Sequence, residues 1–321
     1  MRRERRGFAL IAALWLLVAL SAIGLDFSLR ARETRRAAAN AVEATRARGA
    51  ANAGVAHARS MLDALLRRAA LLRVESKGTS ALLAAMDPWR GIGQLLPDSV
   101  RLDEARYRVR LSDTGARLNV NLAGETALNR LFVALRIDAG LADRLAQCII
   151  DWRDADDLHH LRGAERDWYL ETGARELPSN RSFRDLNELR DVRAVDERVL
   201  KVIVPHLTIL GSGQINLNAA DRPVLLSLPG MTEEAVAVIL RLRRSSLGSV
   251  SLDALPAQLS SGARGALQDN MIVLRGRTTT ETREVDVLSE GWVAGSPVRQ
   301  RVHTLLVRTG DQGTMVWRRE K

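Results

Sequence analysis

The densest group of residues able to do chemistry in this sequence is a run of carboxylates. It begins in the segment Asp151-Trp152-Arg153-Asp154-Ala155-Asp156-Asp157 and resumes in Gly163-Ala164-Glu165-Arg166-Asp167. Hard cations such as Ca²⁺ take about six to eight oxygen ligands, which carboxylates alternating along a turn supply well. The spacing therefore indicates these candidate calcium ligands: Asp154, Asp156, Asp157, Glu165 and Asp167.

Two other interpretations of the acidic run stay open. The likeness to an EF-hand loop is loose, because the glycine is not at the sixth position and the spacing differs. The run is equally compatible with a solvated acidic loop whose charges are balanced by Arg153, Arg162 and Arg166. Zinc is the rival metal because His159 and His160 stand beside the acids. Adjacent histidines do not easily face one ion, however, and no thiolate joins them.

Nothing in the sequence indicates an enzyme. Cys148 is the only cysteine, and it lies in an apolar run, so we expect a buried and inert thiol without a disulfide. The sequence has no glycine-rich phosphate loop and no serine in a Gly-x-Ser-x-Gly elbow. We therefore expect no catalytic residue.

The acidic run must be positioned by helices. Apolar residues spaced three and four apart predict one helix through Leu128, Leu131, Phe132 and Leu135 and another through Leu141, Leu145, Ile149 and Trp152. The candidate ligands follow the end of the second of these helices. From about 122 to 200 the pattern is helical throughout.

Strand patterns flank this helical block. Residues 105–111 alternate polar and apolar, which predicts a half-buried strand. Asp113-Thr114-Gly115 is typical of a turn, and residues 117–120 can form a second strand that runs back along the first, so we predict a β-hairpin. Residues 271–319 are rich in valine and threonine and predict three or four antiparallel strands. A helical block between two β portions indicates an α+β fold.

A weak internal repeat runs through the helical block. Leu118-Asn119-Val120-Asn121 recurs as Ile215-Asn216-Leu217-Asn218, and apolar positions after each copy match. The simplest interpretation of these asparagines is that they cap the helices that follow.

The N-terminus carries a different signal. Met1 to Arg6 holds four arginines, and from Gly7 to Leu25 no residue is charged. Nineteen residues of helix reach roughly 28 Å, which is enough to cross the hydrocarbon core of a bilayer. We expect this segment to lie in a membrane.

The helical pattern continues well beyond the apolar run. Residues 26–75 are rich in alanine, arginine, leucine and glutamate and contain no proline. A cleaved signal peptide is the competing interpretation, with Ala19-Leu20-Ser21 as a small-x-small site, but its apolar region is usually about 7–15 residues long. One long helix, apolar first and amphipathic afterwards, accounts better for the pattern.

This N-terminus resembles that of type IV pilins and pseudopilins: a basic leader ending in glycine, then phenylalanine and a long helix. The resemblance implies that prepilin peptidase cuts after Gly7 and methylates the new amine of Phe8. Most members carry glutamate at the fifth mature position, where this chain has Ala12. A buried carboxylate is costly unless paired. Among pseudopilins this departure resembles the K type, whose proposed place is the filament tip.

The acidic run supports the same resemblance. Together with Pro178-Ser179-Asn180 and Phe183-Arg184-Asp185-Leu186-Asn187-Glu188-Leu189 it looks like the α-domain of K-type minor pseudopilins of type II secretion. That domain is a helical insertion into the pilin fold, SAM-like or helix-hairpin-helix-like, and carries calcium in its loops. His159, His160 and Arg162 depart from the more polar or acidic loop usual there.

The resemblance implies a non-enzymatic subunit of the inner membrane, with its N-terminus cytoplasmic and its bulk periplasmic. Its expected partners are the I- and J-type minor pseudopilins, with prepilin peptidase as processing enzyme, and its expected role is filament assembly and protein export. The chain would divide into a leader (1–7), a transmembrane helix (8–25), its continuation (26–75), a pilin-like β portion (76–120 and 271–321) and an inserted helical domain (121–270).

The rival function is DNA binding. Residues 215–220, Leu228-Pro229-Gly230-Met231-Thr232 and the helix that follows resemble a helix-hairpin-helix of membrane-anchored competence DNA receptors. Such hairpins present backbone N–H groups to phosphates. Thr232 replaces the second hairpin glycine, so we expect a packing element and no nucleic acid. The net charge of +10 nevertheless favours acidic partners, whether nucleic acid, anionic lipid or an acidic protein surface.

Overall fold

The computed structural model describes residues 4–75, 87–94, 96–244, 250–310 and 312–320. Residues 1–3 of the predicted leader and 76–86 of the predicted β portion lie outside them. The α-helices are α1 (Glu4–Glu75), α2 (Glu125–Ala134), α3 (Ala139–Arg153), α4 (Arg166–Glu171), α5 (Glu197–Ile203), α6 (Arg222–Leu226), α7 (Glu233–Arg244), α8 (Ser261–Asp269) and α9 (Met271–Arg277). The strands are β1 (Val100–Leu102), β2 (Ala105–Asp113), β3 (Leu118–Asn119), β4 (Leu207–Thr208), β5 (Ile215–Asn216), β6 (Thr278–Thr279), β7 (Glu284–Val293), β8 (Arg299–Thr309) and β9 (Gln312–Glu320).

Helix α1 is continuous for 72 residues. Residues of high helix propensity dominate it, and Gly49 and Gly54 lie inside it without ending it. Its second half buries one face, whose residues recur at spacings close to one helical turn. These buried residues are Ala47, Ala50, Ala51, Val55, Ala58, Leu62 and Leu66.

The buried face of α1 packs on a five-stranded antiparallel sheet with the order β1-β2-β7-β8-β9. Strand β2 alternates buried and exposed residues, as its sequence predicts. Helix and sheet come unusually close at two glycines. A Cβ at Gly54 would overlap Ser289 Oγ on β7, and a Cβ at Gly291 would overlap the backbone oxygen of Ala47.

The predicted hairpin of residues 105–111 and 117–120 is wrong. Strand β2 pairs with β1 and with β7, whereas β3 forms a parallel pair with β4. Asp113 explains the change of direction, because its buried carboxylate accepts hydrogen bonds from Gly115 N at 2.8 Å and from Asn216 Nδ2 at 2.6 Å. The chain therefore bends into a helical insertion and does not return along β2.

The insertion contains two copies of one arrangement, as the sequence repeat suggests. The parallel pairs β3–β4 and β5–β6 begin and end the copies. In the first copy the Arg153 guanidinium donates to the carbonyl oxygens of Val120 and Ala123. In the second, Arg243 donates to those of Leu217 and Ala220. A single apolar core, separate from the core under the sheet, joins both copies.

The expected helix-capping role of the repeated asparagines is wrong. Asn119 and Asn216 each accept a hydrogen bond from the backbone N–H two residues later and so fix the turn after a strand. The caps of α2 and α6 are instead Gly124 and Asp221.

The C-terminal prediction is partly correct. Strands β7, β8 and β9 are the expected antiparallel strands, but residues 271–277 form α9, and β6 belongs to the insertion. The α+β class, with a long N-terminal helix, an antiparallel sheet and an inserted helical domain, is confirmed.

The insertion leaves the sheet at the end furthest from the N-terminus of α1. Both connections, at Asp113 and at Glu284, lie at this end, where Asp63 of α1 accepts a hydrogen bond from Gly313 N at 2.6 Å. At the opposite end Arg46 of α1 pairs with Glu104 at 2.7 Å. The insertion and the apolar start of α1 are therefore at opposite ends of the sheet.

Candidate metal centre and apolar helix

Three carboxylates of the acidic run converge where two helices of the insertion meet. Asp151 lies in the last turn of α3, Asp154 is the residue that ends α3, and Glu165 directly precedes α4. The loop between them returns through Gly163, where a Cβ would overlap Asp151 Oδ2. Only glycine lets the chain pass this close to the Asp151 carboxylate.

The cluster contains oxygens that lack donors. Ligand atoms of Asp151, Asp154 and His160 lie within 4.8 Å of one another. Asp151 is fully buried, accepts from His160 N at 3.2 Å, and contacts His160 Nδ1. Among the described residues, no donor reaches Oδ1 of Asp154 or either carboxylate oxygen of Glu165 in full hydrogen-bond geometry, although the Arg166 N–H is close enough to lower the pKa of Glu165. Glu165 is 5% exposed.

The electrostatics of the cluster are unfavourable for a protein without a counter-ion. Burial raises the pKa of Glu165 to about 7, and the carboxylates of Asp151 and Asp154 add to the shift. Burial also raises the pKa of Asp154, with Asp156 and Asp151 contributing. The hydrogen bond to Asp151 raises the pKa of His160. Buried, unpaired carboxylate oxygens are costly unless a cation neutralises them, so the arrangement fits a hard cation.

The predicted ligands divide into two groups. Asp154 and Glu165 lie in the cluster. Asp156 is exposed and accepts from Leu158 N at 2.9 Å, and Asp157 is exposed and accepts from Asn180 Nδ2 at 3.0 Å. Asp167 is exposed on α4. The ligand set stays a prediction.

Asp151 and His160 are the members of the cluster that the sequence-based ligand set does not contain. Asp151 lies three residues before Asp154, so within a helix it faces nearly the same way. That spacing could have identified it. The lone cysteine, Cys148, lies one turn before Asp151 and is buried as expected, and burial raises the pKa of its thiol to about 12.

The hairpin that resembles a DNA-binding element is closed by the protein itself. A Cβ at Gly230 would overlap the backbone oxygen of Ala266 on α8, so α8 covers the hairpin. The first turn of α7 carries Glu233 and Glu234, which oppose an incoming phosphate. Arg243 donates to the carbonyl oxygens of Leu217 and Ala220, which follow β5. These contacts favour a packing role.

Residues 13–25 of α1 are uncharged and exposed. Leu14, Trp15, Leu17 and Ile23 are each more than 60% exposed, which is unusual for apolar side chains of a globular domain. Within the described residues, α1 is the one helix long and apolar enough to cross a membrane, with a mean hydropathy of 1.6 over its most apolar window.

Comparison with known proteins finds similarity to protein K of type II secretion systems. A family model described as "Type II secretion system (T2SS), protein K" matches residues 109–212. Type II secretion system protein K of Pseudomonas aeruginosa is 29% identical over 259 residues, covering 74% of this chain and 73% of that protein. The protein K of Dickeya chrysanthemi is 26% identical over 150 residues, covering 43% of this chain and 41% of its own length.

A solved structure shares the fold. One chain of the crystal structure of the GspK–GspI–GspJ complex from the enterotoxigenic Escherichia coli type II secretion system matches with a TM-score of 0.56. It is 18% identical, and the match covers 91% of this chain and 99% of that one. The two chains thus share one fold, a long helix, a sheet packed on it and an inserted helical domain.

The family model, the relatives named protein K and the shared fold together support a K-type minor pseudopilin of type II secretion. The function predicted from the sequence resemblance is confirmed at this level.

Proposed function

We propose that this minor pseudopilin lies at the tip of the type II secretion pseudopilus and acts, without catalysis, in filament assembly and protein export. The observation that carries the proposal is the placement of the insertion at the end of the sheet opposite the apolar start of α1. A further subunit stacked above would have to occupy the space that the insertion fills. The insertion therefore supports a terminal place.

Anchoring in the inner membrane follows from the apolar part of α1. Its exposed leucines and Trp15 match the surface of a membrane-spanning helix. We propose that prepilin peptidase cuts after Gly7 and that Phe8 becomes the methylated N-terminus, with the bulk of the chain periplasmic. Ala12 at the fifth mature position leaves no carboxylate that would need an amine from a neighbour above.

The proposed partners are the I- and J-type minor pseudopilins. The related fold was solved in a complex with GspI and GspJ, and α1 between its apolar start and the sheet offers a surface for neighbouring helices. From Arg32 to Val42 every residue is exposed, four of them are alanines, and Val42 is 55% exposed. Small residues let helices approach closely.

Co-purification tests this proposal. The full-length chain is expressed with the I- and J-type minor pseudopilins and isolated from membranes in mild detergent. The wild type should retain both partners. Val42→Glu should retain much less of each partner, because a charge would enter the helix contact. Leu161→Glu is the matched control, since Leu161 is 93% exposed in the insertion and away from α1. Absence of both partners from the wild type would reject the proposal.

We also propose that a structural calcium ion is held by Asp151, Asp154 and Glu165. The support is the set of buried carboxylate oxygens without donors, and hard cations prefer carboxylate oxygens. A bound Ca²⁺ would neutralise the three carboxylates and tie the end of α3 to the start of α4. The His160 contact holds the Asp151 carboxylate in place.

Thermal melting of the full-length protein in detergent tests the ion. Calcium at about 100 times its dissociation constant adds about 2.7 kcal/mol, or about 5–10 °C in Tm. Glu165→Gln should lose this response without melting lower than wild type in EGTA, because charge repulsion falls. Asp167→Asn, at an exposed position, should keep it. No shift with calcium in the wild type would refute the site, and a stronger response to zinc would favour the rival metal.

A further inference from the structure

The face of the sheet that does not contact α1 carries an ordered array of arginines. Cross-strand register sets three rows side by side, each running from β2 through β7 to β8. The rows are Arg106–Trp292–Arg299, Arg108–Glu290–Arg301 and Arg110–Leu288–His303. The first row extends to Arg101 on β1. We name these ten residues the outer basic face.

Most charges of the outer basic face lack a counter-charge. Glu290 pairs with Arg108 at 2.6 Å and with Arg301 at 2.9 Å. Within the part of the chain that the structure describes, no carboxylate lies within ion-pair distance of Arg101, Arg106, Arg110 or Arg299. Arg101 and Arg106 are direct cross-strand neighbours, an arrangement of like charges that destabilises a sheet.

Repulsion between these neighbouring arginines lowers the stability of the chain alone, and the carboxylates of an acidic partner would relieve it. All six arginines are exposed, so none of the residues that the structure describes covers them. Arginine binds carboxylates through a planar fork of donors, which makes it well suited to this purpose. Burial raises the pKa of Glu290, but hydrogen bonds from Arg301 and Arg108 outweigh it and hold the pKa below its usual range. Glu290 therefore stays charged and orients two of the arginines.

The spacing of the array fits an extended chain. Arg106, Arg108 and Arg110 follow one another at alternate positions of β2, about 6.8 Å apart. An extended peptide parallel to β2 places its alternate side chains at the same interval. A cavity of about 220 Å³ next to the third row has room for an apolar side chain. Leu288, Leu210 and Trp317 supply apolar lining, and the two aspartates in its wall, Asp185 and Asp286, are paired with basic residues of the same wall.

We propose that the outer basic face binds an acidic segment of a partner protein in extended conformation, with carboxylates at alternate positions and an apolar residue that enters the cavity. This surface would add a docking function to the pseudopilin, independent of the helix contacts through which α1 is proposed to assemble.

Two other acidic ligands fit less well. A lipid surface is out of reach of a membrane-anchored chain, because the face lies level with Ala47 and Ala51 of α1. That is roughly 33 Å beyond Leu25 along the helix, several times the screening length of about 8 Å. Single-stranded nucleic acid needs open aromatic rings for its bases. The Arg299 guanidinium covers the ring of Trp292 at 5.3 Å, and the rings of His303 and Trp317 pack edge to face with centroids 5.0 Å apart.

Fluorescence anisotropy with the full-length chain in zwitterionic detergent tests the proposal. The probe is a fluorescein-labelled peptide of alternating glutamate and threonine that ends in leucine. Arg106→Glu/Arg110→Glu should weaken its binding at least tenfold. Arg175→Glu/Arg198→Glu, an equal change of charge at exposed arginines of the insertion, should change it less than twofold. The first variant should melt no lower than wild type, because Arg101 gains a partner.

Three results would overturn the inference. The wild type could show no saturable peptide binding, or the two double variants could weaken binding equally, which would reduce the effect to net charge. Oligothymidylate of the same charge could bind more tightly than the peptide, which would assign the face to nucleic acid. A control peptide has the same composition but places its glutamates consecutively. It should bind several-fold more weakly than the alternating peptide, and equal binding would show that the ligand need not be extended. None of these results bears on retention of the I- and J-type partners.

Discussion

The close packing of α1 on the sheet gives a sharp prediction at two glycines five residues apart. At Gly54 a Cβ would overlap Ser289 Oγ and lie 2.9 Å from Tyr107 Cδ2 and 3.0 Å from Val109 Cγ2. At Gly49 a Cβ would meet nothing within 4 Å. Alanine at either position gains helix propensity of about 1 kcal/mol. At Gly54 the overlap with three neighbours reverses this gain, because overpacking costs about 1–3 kcal/mol and α1 must move away from the sheet.

The gain in helix propensity is common to both variants, so they should differ in the free energy of unfolding by the overpacking cost of about 1–3 kcal/mol. At about 2–4 °C per kcal/mol, Gly54→Ala should melt about 2–12 °C below Gly49→Ala, and no higher than wild type. Tryptophan fluorescence of the full-length protein in detergent follows this transition, because buried Trp89 donates to Leu62 O of α1 at 3.0 Å.

A second change tests the cause of the difference. The Ser289 hydroxyl is buried and has no hydrogen-bond partner among the residues that the structure describes, so Ser289→Ala removes an unsatisfied group and vacates space above Gly54. It should restore part of the stability that Gly54→Ala loses and change Gly49→Ala little. If Gly54→Ala and Gly49→Ala had the same Tm, the close packing of α1 on the sheet at Gly54 would be refuted.

Two further predictions concern the insertion. Arg153→Lys should lower the free energy of unfolding by about 1–2 kcal/mol, or Tm by about 3–6 °C, because lysine cannot satisfy both carbonyl oxygens. Arg144→Lys, at an exposed position of the same helix, should leave Tm unchanged in the same melt. Gly230→Ala should cost about 2–4 kcal/mol, because φ is +70° and the new Cβ overlaps Ala266 O, whereas Gly262→Ala meets no neighbour and should be neutral or stabilising. Equal Tm values for Arg153→Lys and Arg144→Lys, or for Gly230→Ala and Gly262→Ala, would contradict the contacts of Arg153 or of Gly230.

Local patterns in the sequence were sufficient for much of the fold. The uncharged run and the proline-free segment after it predict α1, because helix formation depends on neighbouring residues. The alternation of residues 105–111 likewise predicts β2 and its half-buried character. The internal repeat indicates two related arrangements in the insertion, and the paired arginines Arg153 and Arg243 give that repeat a physical basis.

Pairing partners distant in the sequence could not be predicted in this way. Strand β2 pairs with β7, more than 170 residues later, and no local pattern distinguishes this from pairing with 117–120. The turn residues Asp113 to Gly115 are compatible with a hairpin, and the bonds from Asn216 and Thr282 that direct the chain elsewhere come from remote segments.

The candidate metal centre was only partly predictable for a similar reason. Sequence proximity identifies an acidic run, but burial decides which of its members face one another. Glu165 returns to Asp151 and Asp154 because Gly163 permits the close approach, whereas Asp156, Asp157 and Asp167 remain exposed. His160 Nδ1 contacts the Asp151 carboxylate. The sequence, which shows only two adjacent histidines, does not indicate this contact.

The most direct test of the account is the intact mass of the mature protein, isolated from membranes of cells that contain prepilin peptidase. We predict a chain that has lost residues 1–7, begins at Phe8 and carries one added methyl group on its N-terminal amine, and that fractionates with the inner membrane. A chain with its leader intact, or one cut near Ser21 and recovered in the soluble fraction, would contradict the pseudopilin account.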